Sequence, residues 1–202
     1  EYFGDIKPSA DIELIKILVE ILTLSKDSKI LIELGDLSII NQLLNSLSLN
    51  VDDKNTLISL INIKSKDEII EFFAQKKLKQ DVLKIICDLI TFNGEIKLLS
   101  NIKNTLNNFS TKLYPNLKDL EYIAKKIIRL KGVYDVHIDL CNLNTLNYQT
   151  GIIYTAYIQN MRKEIAKGGR YMTSMNNNGR QASGFSLDLK DLYNIISGRK
   201  YV

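Results

Sequence analysis

The sequence predicts an α+β fold, an antiparallel β-sheet flanked by helices, carrying a small all-helical insert. Three observations lead there. Apolar residues recur at helical spacing through most of the chain before Gly132. The stretch from Val133 to Leu187 alternates instead, in short runs separated by turn residues. Residues 50 to 110 hold several short helical patterns and no strand-like alternation.

The elements follow in order. From Pro8, "SADIELIKILVEIL" places Ile12, Ile15, Leu18, Val19 and Leu22 on one helical face, with Asp11 and Glu13 near the positive end of the helix dipole. "SKILIELGD" alternates as a strand with Ile30, Ile32 and Leu34 on one side, and Gly35-Asp36 leads into a helix bearing Ile39, Ile40, Leu43, Leu44 and Leu47. In the insert, Ser65-Lys66-Asp67-Glu68 has the spacing of a capping box, followed by Ile69, Phe72 and Phe73. Val82, Ile85, Ile86 and Leu89 form a further helical face that Asn93-Gly94 stops, and Ile96, Leu99, Ile102 and Leu106 form one more. After Pro115, Leu120, Ile123, Ile127 and Leu130 face inward while Lys125, Lys126 and Arg129 form a solvated face. "VYDVHIDL", "TGIIYTAYIQ", "EIAKGGRY" and "ASGFSLDL" read as strands joined by turns, and a helix from about Leu187 to Ile196 closes the chain.

Composition narrows the function classes. A chain of 202 residues that is 45% hydrophobic buries a real core and reads as one domain. The 27 basic and 23 acidic residues give a net charge of +4, with the lysines spread singly, so nucleic-acid binding is not expected. No apolar run reaches the ~18 residues of a membrane span, and no signal pattern opens the chain, so a soluble cytoplasmic protein is expected. Cys87 and Cys141 read as buried or half-buried thiols of a reducing compartment, and one His with no CxxC makes zinc improbable. The chain opens on Glu1, and "EYFGD" reads as the middle of something, so a piece of a longer protein is expected.

Local chemistry is sparse. Asp135, His137 and Asp139 share one strand face, the pattern of a general-base or metal cluster, but side chains two apart sit ~6 to 7 Å from each other and further ligands are not evident. A structural or cavity-lining role is the expectation. Gly168-Gly169 does not open a helix, as a phosphate loop would, and suits a close backbone approach or a bulge. Asn176 to Gly179 is a turn. No nucleophile with a positioned base can be assembled from one His. No catalytic or metal-ligating residue is assigned, and no cofactor is expected.

The order of the pieces is more specific than any one of them. "EYFGDIKPSADIELIKI", "LIELGDLSIINQLLNSL", a helical insert, "VHIDLCNLNTLNYQTGIIYTAY", "AKGGRY" and "ASGFSLDLKDL" together resemble the catalytic core shared by histidyl-tRNA synthetases and the regulatory subunits of ATP phosphoribosyltransferase. The resemblance spans nearly all 202 residues and implies a class II synthetase-like antiparallel sheet flanked by helices. In that family the segment here running from Leu146 to Tyr157 and the segment here running from Gly168 to Tyr171 line a histidine pocket. The resemblance also matches Glu1 to a carboxylate that pairs with the amino group of histidine, which places the preceding class II motifs before residue 1.

Departures from the synthetase pattern favour the regulatory branch. The synthetases read RGLDYYTGTVFE where this chain has Asn144 in place of the arginine, Gln149 in place of the second tyrosine and Thr155 in place of the glutamate. Losing one such charged contact costs about 10² or more in rate. The aspartate after GGRY is Met172, and the arginine that stacks on ATP is Asp191, whose charge repels a triphosphate. The resemblance therefore implies a non-catalytic regulatory subunit that assembles with the short ATP phosphoribosyltransferase catalytic subunit, self-associates, supports the first step of histidine biosynthesis and helps transmit histidine feedback. A histidine-like ligand is placed against Glu1, Tyr148, Gln149, Thr150, Gly169, Arg170 and Tyr171. Two alternatives stay open at this point, a histidyl-tRNA synthetase core fragment and a stand-alone amino-acid sensor or interaction module. Tyr148 and Tyr171 equally suit core aromatics, and Arg170 equally suits a structural ion pair.

Overall fold

The computed structural model describes residues 1–4, 7–24, 29–107, 114–143, 149–159, 161–173 and 179–197. In chain order the elements are β1 (Tyr2–Phe3), α1 (Pro8–Leu22), β2 (Ile30–Asp36), α2 (Leu37–Asn45), α3 (Val51–Asn62), α4 (Lys66–Gln75), α5 (Gln80–Thr91), β3 (Asn93–Glu95), a 3₁₀ turn (Ile96–Leu98), α6 (Leu99–Asn107), α7 (Tyr114–Ile127), β4 (Val133–Asp139), β5 (Gln149–Ile158), β6 (Ala166–Met172), β7 (Gln181–Leu187) and α8 (Leu189–Ile196). The strands form one seven-stranded sheet in the order β1-β7-β6-β5-β2-β4-β3. Every pairing is antiparallel except β2 with β4, which is parallel. That exception follows from the long connection between the two strands. The chain leaves β2, passes through α2 to α7, and returns alongside β2 in the same direction, as a crossover connection does.

Burial follows the predicted periodicities. Ile30, Ile32 and Leu34 of β2, Val136 and Ile138 of β4, and Ile152, Tyr154, Ala156 and Ile158 of β5 are buried in the hydrophobic core. The same core takes Ile15, Leu18, Val19 and Leu22 of α1 and Leu117, Leu120, Ile123 and Ile127 of α7. Pro8 begins α1, where its missing N–H costs nothing. Asp36 caps α2 by accepting a hydrogen bond from the Ser38 N–H at 2.9 Å, so strand passes into helix without a loop. The two cysteines are free; Cys141 is buried, which pushes its thiol up to about 12, and Cys87 is half-buried.

Two local features differ from expectation. The capping box at Ser65 does not form, because the Ser65 side chain makes no capping hydrogen bond. Its neighbour α3 instead carries a reciprocal cap, with Asn50 accepting from the Asp53 N–H at 2.8 Å and donating to the Asp53 carboxylate at 3.0 Å. Asn93-Gly94 follows the end of α5 at Thr91, as expected of a helix stop, but the two residues also form the edge strand β3 within the helical insert, paired with Asp139 and Ile138 of β4. A three-residue strand is too short to display alternation.

Candidate functional site

Alternation along the sheet gives it two unlike faces. Register sets Ile153 opposite Gly169, Thr155 opposite Lys167, and Gln149 opposite Tyr171. It also sets Gly169 opposite Gly184 and Lys167 opposite Ser186. Side chains two apart on a strand share a face. These residues therefore lie together on one side of the sheet, where they line a cavity of about 380 Å³ to which Glu1, Asn142, Tyr157 and Glu164 also contribute.

Two glycines make room at the cavity. A Cβ on Gly184 would come 2.9 Å from Glu1 Cγ, so its absence lets the Glu1 carboxylate lie over β7. There Glu1 Oε1 accepts a 2.8 Å hydrogen bond from the Tyr171 hydroxyl. A Cβ on Gly168 would come 2.4 Å from Tyr154 Cζ. The buried Tyr154 ring occupies that space and its hydroxyl donates to the Gly184 carbonyl at 3.2 Å.

The electrostatics of the cavity are mixed. Lys167 Nζ pairs with Glu164 Oε1 at 2.8 Å, and that hydrogen bond holds the Glu164 carboxyl below its ordinary value. Burial, reinforced by the nearby Glu33 and Glu164 carboxylates, pushes the Tyr157 phenol up to about 12. Beside the cavity, Asn142 Nδ2 donates to Glu33 Oε1 at 2.7 Å, while burial raises the Glu33 pKa. The Gln149 Oε1 atom is buried and has no donor among the described residues. Carboxylates, phenols and one ammonium group facing a common space suit the binding of a small polar, charged ligand.

Of the seven residues expected at a ligand, Glu1, Gln149, Gly169 and Tyr171 converge on the cavity. Thr150 is exposed and does not line it. Arg170 projects to the other face of the sheet, where its Nε and Nη2 donate to Asp11 Oδ2 at 2.9 and 2.5 Å. Ser183 Oγ donates to the other oxygen of the same carboxylate at 3.0 Å. The reason is register, since Arg170 adjoins Gly169 and Tyr171 in sequence and so points away from both. Tyr148 and Asn144 lie outside the described residues. Sequence reasoning missed Asn142, Glu164, Lys167 and Ser186; strand alternation counted from Gly169 would have found Lys167.

The Asp135, His137 and Asp139 face is used structurally. His137 Nε2 lies 3.0 Å from Asp135 Oδ2. Asp139 accepts from Lys64 Nζ at 2.7 Å and from the Cys141 N–H at 2.8 Å, tying the helical insert to the end of β4. Among the described residues, no three His, Cys, Asp or Glu side chains are grouped to hold a metal ion.

The sequence profile of the histidyl-tRNA synthetases matches residues 1–192. The chain belongs to that family. Among curated relatives, the ATP phosphoribosyltransferase regulatory subunit of Methylococcus capsulatus is 27% identical over 94% of this chain and 47% of its own length. That of Polynucleobacter necessarius is 29% identical over 96% of this chain and 50% of its own. The chain thus spans about half the length of the curated relatives it matches. Two solved structures share the fold of this family member. One is an ATP phosphoribosyltransferase regulatory subunit/histidyl-tRNA synthetase from Bacillus halodurans, with a TM-score of 0.79 at 20% identity, covering 96% of this chain and 51% of the other. The other is the ATP phosphoribosyl transferase (HisG:HisZ) complex from Thermotoga maritima, with a TM-score of 0.70 at 22% identity, covering 92% and 63%. The family's class II synthetase-like fold, expected from the order of the sequence pieces, is thereby established.

Proposed function

We propose that the chain is the synthetase-like part of a regulatory subunit of ATP phosphoribosyltransferase. It assembles with the short catalytic subunit, supports the first step of histidine biosynthesis in the cytoplasm and relays histidine feedback, with a histidine-like ligand in the cavity at Glu1, Gln149, Gly169 and Tyr171. The observation that carries this reading is the likeness, along nearly the whole chain, to relatives bearing that name. The name of the Thermotoga maritima complex supports a two-component assembly. Asp191 supports the absence of aminoacylation. It is buried in the first turn of α8 and paired with Lys163 Nζ at 2.7 Å, and by the sequence resemblance it stands at the position of the arginine that stacks on ATP in the synthetases.

Co-expression of the full-length protein with a short-form catalytic subunit is the test. The expected result is co-purification and a rise in phosphoribosyl transfer that histidine reverses. Because feedback is a coupling free energy, histidine must bind the inhibited assembly more tightly than the active one. Failure to associate or to stimulate would overturn the reading. Robust histidine-dependent pyrophosphate exchange by the full-length protein alone would instead favour a synthetase.

A further inference from the structure

We propose that Lys167 takes the carboxylate of the ligand, and that this contact is how the cavity distinguishes an amino acid from the corresponding amine. The inference rests on the reading of the cavity as a histidine-like site. Lys167 is the one cationic side chain among the described residues lining the cavity. Residues 144–148 and 174–178, which adjoin β5 and β6 in sequence, contain no charged side chain. Arg170, the other cation of β6, is committed to Asp11 on the opposite face. A ligand carboxylate inside this cavity therefore has one described cation to meet.

The register places that cation at a suitable distance from Glu1. Tyr2 pairs with Ser183, which sets Glu1 beside Gly184, and Gly184 pairs with Gly169. Lys167 lies two residues along β6 from Gly169. With ~3.3 Å per residue along a strand and ~4.8 Å between strands, two residues and two strands separate the Glu1 and Lys167 α-carbons by about 12 Å. The ammonium and carboxylate of an amino acid are carried on one carbon, and a glutamate reaching into that gap from one side and a lysine from the other bracket them. An acid on one side and a base on the other match the two charges of a zwitterion.

The present partner of Lys167 does not prevent this. The side chains of Lys167 and Glu164 are 48% and 39% exposed, and an ion pair so open to water holds its members weakly. A ligand carboxylate already held at Glu1 through its own ammonium is presented to Lys167 at high local concentration and competes with Glu164 for it. Ser186, opposite Lys167 on β7, adds a hydroxyl beside it.

Isothermal titration of the full-length protein with L-histidine and with histamine, which lacks only the carboxylate, tests the assignment. The natural protein is expected to bind histidine at least about tenfold more tightly than histamine. Lys167→Met should lower histidine affinity about tenfold, leave histamine affinity unchanged and so abolish the preference, while Lys167→Arg keeps it. An unchanged thermal midpoint for Lys167→Met shows that the fold is intact. The proposal fails if Lys167→Met weakens both ligands equally, or if histidine affinity does not change. If the natural protein binds neither ligand, the cavity reading and this assignment fall together, whereas association with the catalytic subunit separately decides the regulatory-subunit reading.

Discussion

Arg170 and Lys167 leave the same strand toward opposite faces of the sheet, and their surroundings differ accordingly. Arg170, 21% exposed, meets an Asp11 carboxylate that is fully buried and also accepts from Ser183. Lys167 meets Glu164, and both side chains are open to water. The first pair is held inside the structure, where removing one charge strands the other. The second is open to exchange, which is what the proposed role of Lys167 requires. Tyr154 and Tyr171 repeat the contrast, one filling the space under Gly168 and the other facing the cavity with its hydroxyl on Glu1. Two residues of similar chemistry, three positions apart, thus stand in one closed and one open ion pair.

The contrast can be broken in several places. The largest expected effect is at the buried pair. Arg170→Met leaves the Asp11 charge buried without its cation and should cost about 3–5 kcal/mol in urea unfolding, most of which Asp11→Asn in the same chain restores. A loss near zero would mean that Arg170 is as replaceable as Lys167. Next comes Gly168→Ala, whose new Cβ meets the Tyr154 ring at 2.4 to 2.5 Å and should cost about 1–3 kcal/mol. Gly184→Ala, by contrast, displaces the flexible Glu1 side chain and should reduce histidine binding by far more than it changes the unfolding midpoint.

A smaller effect concerns pH. Burial raises the pKa of Glu33 above its ordinary 4.5, so the folded protein holds that proton more tightly than the unfolded chain. Its contribution favours folding below the unfolded value and is lost as pH rises through the raised folded value. Glu33→Gln removes this loss, and its urea midpoint should decline less, or climb more, from pH 4.5 upward than that of the natural chain. Parallel curves would show that Glu33 is not desolvated. The smallest effect is at the open pair, where Lys167→Met should change unfolding free energy by less than about 0.5 kcal/mol.

Local pattern made much of the fold legible. The stripe of α1, the strand-to-helix passage at Gly35-Asp36 and the four later strands all lie where period and turn residues predict them. The apolar residues named for them are largely the ones buried. What escaped was short or conditional. The Ser65 box has the right letters, but spacing alone does not turn the hydroxyl toward the helix end. The Asn50–Asp53 cap used a less conspicuous pair. Part of the site was legible through the family's Gly-Gly-Arg-Tyr step, yet adjacency in sequence grouped Arg170 with residues whose side chains point the other way.

The sequence by itself determined the helices, the strands and the family, because periodicity and motif are properties of short segments, while the grouping of Glu1, Gln149, Gly169 and Tyr171 was legible only through resemblance to that family. Only the tertiary structure decided that β2 and β4 run parallel, that Asp11 is the buried partner of Arg170, and that Lys167 faces the cavity with Glu164. Asp11 and Arg170 are 159 residues apart in the chain. No local pattern can announce such a pair, since it exists only when α1 has packed on the sheet and register has chosen which face each strand residue occupies.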